Sequence, residues 1–259
     1  MLFDQRQCGR SAPHASDPAT DLSTNTTWHL VADMEALRER LAIERWALFG
    51  QSWGTTLALA YAEQHPERIA GMVLGGVTTT TREEIHWLTE GVGRFFPEAW
   101  ERFHVGAGSP PAGTDLAAAY RDLLASPDPA VREQAARDWC DWEMAIVDTT
   151  PGHRPHPRYE DPRFRMAFAR IVTHYFAAGA WLEEGQLLRD AGRLAGIPGV
   201  LVHGRLDYSS PLRTAWKLAQ AWPDAELTVV EPAGHDARDG GIAAALVTAT
   251  DRLASRVRV

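Results

Sequence analysis

The sequence predicts an α/β protein, with a mostly parallel sheet flanked by helices and an inserted helical cap. Apolar strand-like runs alternate with helical periodicity up to residue 77, and the alternation returns after residue 186. Between them no clear strand pattern occurs, and aromatic-rich helical stretches alternate with Pro/Gly breaks. Strands that alternate with helices are typical of parallel sheets built from right-handed crossovers. The expected division is a core from residues 1–77 and 186–259 and a cap from residues 78–185.

The first elements of the core follow a helix, strand, helix, strand order. Residues 28–43 carry apolar side chains at helical spacing, after a polar run that supplies helix-cap candidates. Residues 46–49 form an apolar run, residues 53–65 are compatible with a helix, and residues 69–77 predict the next strand.

The turn after the first strand contains a possible nucleophile, in the pentapeptide Gly50-Gln51-Ser52-Trp53-Gly54. A G-x-S-x-G pattern is common by chance, but here a strand precedes it and a helix follows it. In that context the glycines allow a sharp turn, which presents the serine hydroxyl at the top of a sheet as a nucleophile elbow. Ser52 is therefore the candidate nucleophile.

An acid and a base should follow this serine in the order Asp, then His. Residues 199–204 predict a buried strand with Asp207 soon after it, and residues 227–230 predict another strand, followed by His235. Open α/β sheets place their sites at the carboxyl ends of their strands. The predicted triad is Ser52, Asp207 and His235, in which His235 exchanges a proton with Ser52 and Asp207 orients the imidazole.

Each of the two partners also has a simpler interpretation. An Asp in a turn is more often a capping residue, and a His after Gly is more often an ordinary loop residue. The joint order and the strand context favour the triad. Among the ten histidines, His203 and His174 are the main rivals of His235, but neither combines a strand end with a late position in the chain.

Composition and charge exclude several classes of function. The chain has 259 residues and a formal net charge of −8, which argues against nucleic acid as a partner. No apolar stretch is long enough to span a bilayer, and the N-terminus does not resemble a signal peptide.

The two cysteines, Cys8 and Cys140, fit a reducing cytoplasm. No Cys/His cluster has metal-ligand spacing, so we expect neither a metal nor a cofactor. The oligomeric state is left open.

Several segments spread over nearly the whole chain share the motifs of one known family. They are residues 4–11 (D-Q-R-Q-C-G-R-S), 25–33, 50–61, 65–68, 204–211 and 221–235. In these segments the chain resembles the proline iminopeptidases, which are serine aminopeptidases of the α/β-hydrolase fold. The resemblance implies that fold, the same triad, and release of an N-terminal residue, preferably Pro, through an acyl-enzyme. The Trp53 backbone N–H would belong to the oxyanion hole.

The cap also carries a motif of the family. Residues 139–143 (W-C-D-W-E) resemble its W-x-x-W-E pattern. The resemblance implies that Glu143 binds the free α-amino group of the substrate, and a carboxylate in an aromatic-walled pocket suits an ammonium. The alternative is a solvated or capping Glu on a helix. Further candidates for the substrate pocket are Gln51, which adjoins the nucleophile, and Trp139 and Tyr175 among the aromatic residues of the cap. Most of those aromatic residues are expected in the core of the cap.

One departure from the family pattern bears on the substrate. Residues 169–176 resemble A-R-I-E-N-H-Y-F, but Val172 stands where the family carries a second amine-binding Glu. Losing a charge-assisted bond to a buried ammonium costs about 1.5–3 kcal/mol, which is about ten- to a hundredfold in binding. A neutral amide or ester is therefore an alternative to N-terminal proline.

A second departure concerns the start of the sequence. The family carries H-G-G-P-G upstream of D-Q-R-G, in a segment that supplies an oxyanion-hole N–H and an interior strand, whereas here Met1 lies just before Asp4. Loss of one oxyanion donor costs about 10²–10³ in rate, and a missing strand exposes apolar surface beside the nucleophile strand. We favour a longer working protein that starts upstream of Met1. A remodelled relative with a rebuilt oxyanion hole and a poorly active remnant are the alternatives.

Three functions compete on this reasoning. The first is a cytoplasmic serine aminopeptidase that acts on small molecules or short peptides. The second is an esterase, amidase or acyltransferase that uses the same triad on a small neutral substrate, which Val172 favours. The third is a non-catalytic or catalytically weak binding protein on a hydrolase scaffold, which the absent H-G-G-P-G segment favours and the complete triad argues against.

Overall fold

The computed structural model describes residues 2–147, 149–150, 156–238 and 240–256. The helices are α1 (Thr27–Arg40), α2 (Trp53–Gln64), α3 (Arg82–Thr89), α4 (Pro97–Gly106), α5 (Leu116–Leu124), α6 (Pro129–Val147), α7 (Pro162–Ala177), α8 (Gln186–Arg189), α9 (Leu212–Ala221) and α10 (Gly240–Arg256). The strands are β1 (Trp46–Gln51), β2 (Ile69–Gly75), β3 (Gly199–Gly204) and β4 (Ala225–Val230). Short 3₁₀ turns occur at Pro66–Arg68, Gly91–Phe95, Pro157–Glu160, Gly179–Trp181 and Ala191–Leu194.

The strands form a parallel sheet in the order β1-β2-β3-β4. Every residue of β2 and β3 is buried, as expected for interior strands covered on both faces. β1 lies at one edge of the sheet that the structure describes, and its Phe49 side chain is 56% exposed. The α/β class predicted from the alternation of elements is confirmed.

Two predicted boundaries shift by a few residues, and the backbone shows why. α1 ends at Arg40 because Ala42 adopts a left-handed φ of 52° and the Ile43 N–H returns to the Arg38 carbonyl oxygen, a common helix termination. β2 ends at Gly75 because Gly76 has a φ of 54° and turns the chain out of the strand.

The chain divides into two compact units. The sheet unit comprises Val31–Glu84, Val147–His153 and Leu182–Val259, and the helical unit comprises Met1–Leu30, Ile85–Ile146 and Arg154–Trp181. No helix among the described residues is both long and apolar enough to cross a membrane.

The two units have different cores. In the sheet unit, α2 contacts β1 and β2, and α10 contacts β2, β3 and β4. Valines of the strands pack there against Ile242, Leu246 and Leu253 of α10. In the helical unit the core is aromatic. Phe103 stacks on Tyr120 with ring centroids 4.6 Å apart.

Candidate active site

Ser52 lies in the turn between β1 and α2. Its φ of 53° and ψ of −123° are unusual for a residue with a side chain, and such a conformation costs about 1–3 kcal/mol. Gly50 makes room for the turn, because a Cβ there would lie 2.4 Å from the Gly54 carbonyl oxygen. The Ser52 N–H donates to the Gly75 carbonyl oxygen at 2.9 Å, which ties the turn to β2. This geometry is that of the predicted nucleophile elbow.

The structure brings Ser52, Asp207 and His235 together. The Ser52 Oγ lies 2.9 Å from His235 Nε2, and His235 Nδ1 lies 2.7 Å from Asp207 Oδ2. Each of the three follows the carboxyl end of a different strand of the sheet unit, namely β1, β3 and β4. Because the carboxylate accepts the Nδ1–H, Nε2 is left with the lone pair that can accept the Ser52 proton.

The Asp207 carboxylate is buried, at 4% exposure, and well supplied with donors. Its Oδ1 accepts from the Ser209 hydroxyl at 2.9 Å and from the Ser210 N–H at 2.8 Å. Burial by itself would raise the pKa of Asp207, but His235 and its hydrogen bond, with His203 and the Ser210 N–H, hold that pKa below its usual value. The carboxylate is therefore ionised at neutral pH, as the orientation of an imidazole requires.

Trp53, predicted to contribute to an oxyanion hole, is the first residue of α2. The first amide groups of a helix have no acceptor within that helix, and the positive end of the helix dipole lies there. Negative charge that develops on a carbonyl bound at Ser52 is therefore favoured at this helix start.

Gln51, the last residue of β1, contacts the loop that carries the base. Its Nε2–H donates to the His235 carbonyl oxygen at 3.1 Å. Its Oε1 is buried and has no hydrogen-bond partner among the described residues. A Cβ on Gly75 would lie 2.2 Å from that oxygen, so the amide fits only beside a glycine. The sequence reasoning placed Gln51 at the site but did not foresee this contact.

The other predicted pocket residues lie in the helical unit. Trp139 of α6 is fully buried, and its ring meets Phe103 edge-on at 5.5 Å. The Trp139 Nε1–H has no hydrogen-bond partner in the described part of the chain. Tyr175 of α7 is 3% exposed, and its hydroxyl donates to Asn25 Oδ1 at 2.7 Å.

Glu143 is half-buried on α6, one turn after Trp139. Burial, and after it the charge of Glu143, raises the pKa of the Cys140 thiol. The same two causes raise the pKa of Tyr159 to about 12. Arg158 opposes both shifts. Val172 is half-buried on α7.

Neither rival histidine is the one whose ring contacts the Ser52 hydroxyl, which is His235. His174 belongs to the helical unit, where its Nε2 lies 3.0 Å from the Asn25 carbonyl oxygen. His203 is fully buried beside Asp207, with Nε2 3.4 Å from Oδ2. Sequence reasoning missed the donors to Asp207, although two serines soon after an Asp at a strand end are a recognisable signal of an Asx-type turn.

The described residues include no group of three or more His, Cys, Asp or Glu side chains arranged to hold a metal ion. At Ser52 the side chains offer a hydroxyl, an imidazole that lies within hydrogen-bonding distance of it, and an ionised carboxylate bound to the other nitrogen of that imidazole. This set is suited to acyl transfer.

Comparison with known proteins shows the family of this chain. The family model described as the alpha/beta hydrolase fold matches residues 1–239, and the chain is an α/β hydrolase. A probable proline iminopeptidase from Streptomyces coelicolor is 52% identical over 260 residues, which cover 98% of this chain and 79% of the relative. A proline iminopeptidase from Xylella fastidiosa is 49% identical over 253 residues, which cover 97% of this chain and 79% of that relative. Within the α/β hydrolases the chain belongs to the proline iminopeptidase family, whose members are hydrolases of the aminopeptidase type.

Solved structures share the fold at much lower identity. The proline iminopeptidase of Mycobacterium smegmatis has a TM-score of 0.59 at 18% identity, covering 98% of this chain and 78% of that one. A thermophilic esterase from Thermogutta terrifontis has a TM-score of 0.61 at 19% identity, and the match covers 98% of this chain and 79% of the esterase. Similarity at this level establishes the fold alone.

Proposed function

We propose that this chain releases an N-terminal residue, preferably proline, from short peptides or amides through an acyl-enzyme on Ser52. The observation that carries the proposal is the continuous relay from Ser52 Oγ through His235 to Asp207, with heavy-atom distances of 2.9 and 2.7 Å. Proline iminopeptidase relatives that are 49–52% identical support the substrate class.

The proposed reaction begins at the Ser52 hydroxyl. Its oxygen attacks the carbonyl carbon while its proton moves to His235 Nε2, and the carbonyl electron pair moves onto oxygen beside the Trp53 N–H. Collapse of this intermediate re-forms the carbonyl and breaks the C–N bond, and His235 gives the proton to the leaving amine. Water then attacks the ester with His235 as base, which frees the N-terminal residue and restores Ser52.

Glu143 is the proposed ligand of the free α-amino group. Burial, and after it the charge of the half-buried Glu143 carboxylate, raises the pKa values of Cys140 and Tyr159. A negative charge in such surroundings is expected to form a charge-assisted hydrogen bond with an ammonium. Glu143 would thereby select substrates with an unblocked N-terminus.

The division into a core of residues 1–77 and 186–259 and a cap of residues 78–185 remains part of this proposal.

A second candidate is an esterase, amidase or acyltransferase that acts on a small neutral substrate. The observation that favours it is Val172, a half-buried apolar side chain at a position where the resemblance implies a second acidic residue. The triad serves both candidates equally, so only the response to the substrate's charge separates them.

The test compares three substrates: prolyl-β-naphthylamide, its N-acetyl analogue and p-nitrophenyl acetate. The aminopeptidase hypothesis expects turnover of the free-amine substrate and a loss of about 10⁶-fold in kcat in Ser52→Ala. Glu143→Gln should raise the KM of the free-amine substrate about ten- to a hundredfold and leave ester hydrolysis unchanged. The matched control is Glu133→Gln, which changes a 56%-exposed carboxylate on the same helix and should alter neither substrate.

Two outcomes would contradict the aminopeptidase proposal. Turnover of the ester alone, with no effect of Glu143→Gln, would favour the neutral-substrate enzyme. Failure of Ser52 to form a covalent adduct with a fluorophosphonate in the folded protein would favour a binding protein that no longer catalyses.

A cytoplasmic location is a further part of the proposal. Cys8 and Cys140 are both free thiols in the structure, which supports a reducing compartment. The net charge of −8 supports small substrates over nucleic acid as partners.

A further inference from the structure

His203, at the end of β3, is a buried histidine with both ring nitrogens in use. Its Nδ1 lies 3.1 Å from the Val77 backbone nitrogen, and its Nε2 lies 2.7 Å from the Ser210 carbonyl oxygen. A backbone N–H only donates and a carbonyl oxygen only accepts, so Nδ1 holds a lone pair and Nε2 carries the proton. Burial lowers the pKa of His203. Its contacts therefore specify one neutral tautomer.

The same Nε2–H faces the acid of the triad. His203 Nε2 lies 3.4 Å from Asp207 Oδ2, the oxygen that also accepts from His235 Nδ1 at 2.7 Å. Asp207 Oδ2 thus lies between two imidazole rings with different roles. His203 contributes an N–H dipole without a positive charge, so the charge of the carboxylate remains available to the imidazolium that forms on His235.

The other end of His203 reaches the segment that holds the nucleophile. Val77 follows β2, in a stretch whose Gly75 carbonyl oxygen accepts from the Ser52 N–H at 2.9 Å. In the same stretch, the Thr55 hydroxyl of α2 donates to the Thr78 carbonyl oxygen at 2.9 Å. His203 therefore connects the segment that positions Ser52 with the loop that positions Asp207.

We propose that His203 is a positioning residue for the reaction. As a neutral Nε2–H tautomer it fixes the position of Asp207 relative to the turn that carries Ser52, and it moderates the basicity of His235. This inference rests on the proposed function of the triad. The charged and titratable groups that face His203 are Asp207, His235 and Glu84 of α3. Glu84 is bound by the Thr79 and Thr81 N–H groups, which keep its carboxylate turned to that loop.

The test separates the two ends of the imidazole with two variants. In His203→Asn the shorter amide can accept from the Val77 N–H but has no donor at the position of Nε2. In His203→Gln the longer amide can donate towards Ser210 and Asp207. The control His86→Asn makes the same change at a side chain that is 66% exposed. Each protein is assayed for kcat and KM from pH 5 to 9, with folding checked by circular dichroism.

The proposal expects a specific pattern. His203→Asn should lower kcat about ten- to a hundredfold with little change in KM, and the acid limb of kcat/KM should move up by about half a pH unit, because Asp207 Oδ2 has lost the neighbouring N–H dipole. His203→Gln should restore most of kcat and the original acid limb, and His86→Asn should behave as wild type. Equal losses in both His203 variants with an unmoved acid limb would overturn the proposal, as would an unchanged His203→Asn.

A measurement on the unmodified protein covers the case in which the variants do not fold. Long-range ¹⁵N–¹H spectra of the assigned His203 ring should show the Nε2–H tautomer unchanged from pH 5 to 9. Titration of His203 in that range, or a proton on Nδ1, would overturn the proposal. Loss of activity in Ser52→Ala together with a normal His203→Asn would reject this inference and leave the proposed function intact.

Discussion

The sheet unit and the helical unit differ in how their predicted site residues are used. In the sheet unit, Ser52, Asp207 and His235 are distant in sequence, yet His235 lies within hydrogen-bonding distance of both Ser52 and Asp207. In the helical unit, Trp139 and Tyr175 pack into a buried aromatic core, while Glu143 is only half-buried. Parallel strands bring their carboxyl ends to one edge, whereas a helix distributes its side chains between core and surface according to its packing partners. The sheet topology therefore brings the three residues of the sheet unit together, whereas packing decides which predicted residues of the helical unit are buried.

The largest expected effect is on catalysis, at Asp207 of the predicted triad. Asp207→Asn should lower kcat about 10⁴-fold while the fold is retained, because an amide N–H facing His235 favours the wrong tautomer. Steady-state kinetics with prolyl-β-naphthylamide measures kcat, and thermal unfolding shows whether the fold is retained. A loss below about tenfold would mean that another group orients the imidazole.

The next effect concerns the helical core. Trp139→Ala should reduce the free energy of unfolding by about 3–5 kcal/mol, because it empties a fully buried site between aromatic rings. Thermal unfolding measures this, with Trp216→Ala as control, since that ring is 59% exposed. If Trp139→Ala instead raised KM and left stability unchanged, Trp139 would belong to the substrate pocket and the contrast between the units would fail.

A pH-dependent effect is expected within the sheet unit, at Glu63 of α2. Its carboxylate is buried without a hydrogen-bond partner among the described residues. Burial, with Asp190 adding to it, raises the pKa of Glu63 to about 9, against the opposing effect of nearby arginines. The folded pKa lies above the unfolded value of 4.5, so the stability it contributes is complete below that value and is lost as pH rises towards 9.

Glu63→Gln should therefore match wild type near pH 5 and unfold at a higher temperature at pH 8.5, by on the order of 5 °C. Scanning calorimetry at the two pH values measures the difference. A gap of equal size at both pH values would show that Glu63 does not take up a proton on folding.

The smallest expected effect is at Gln51. Gln51→Met keeps the side-chain length and removes the donor to the His235 carbonyl oxygen. A neutral hydrogen bond contributes about 0.5–1.5 kcal/mol, so kcat should fall about two- to tenfold, with KM unchanged. An increase in KM without a change in kcat would indicate that Gln51 contacts the substrate instead.

Much of the sheet unit follows from local sequence. The apolar runs at residues 46–49 and 199–204, and most of the run at 69–77, lie in strands, as expected of short apolar sequences that are bounded by turns. The ends of elements were less predictable, since Ala42 and Gly76 end theirs through a left-handed backbone that composition does not reveal.

The sequence by itself determined the class of fold, and it pointed to Ser52, Asp207 and His235, which the structure connects by hydrogen bonds, because the carboxyl ends of parallel strands lie at one edge of the sheet whatever the loops contain. Only the tertiary structure decided which groups surround them. Contacts such as the Gln51 amide at the His235 carbonyl oxygen and the His203 ring at the Val77 N–H join residues far apart in sequence, and their formation depends on the distances between strands and loops. The same holds for Trp139 and Tyr175, because an aromatic residue on a helix satisfies the same periodicity in a core as in a pocket, and burial against neighbouring helices separates the two.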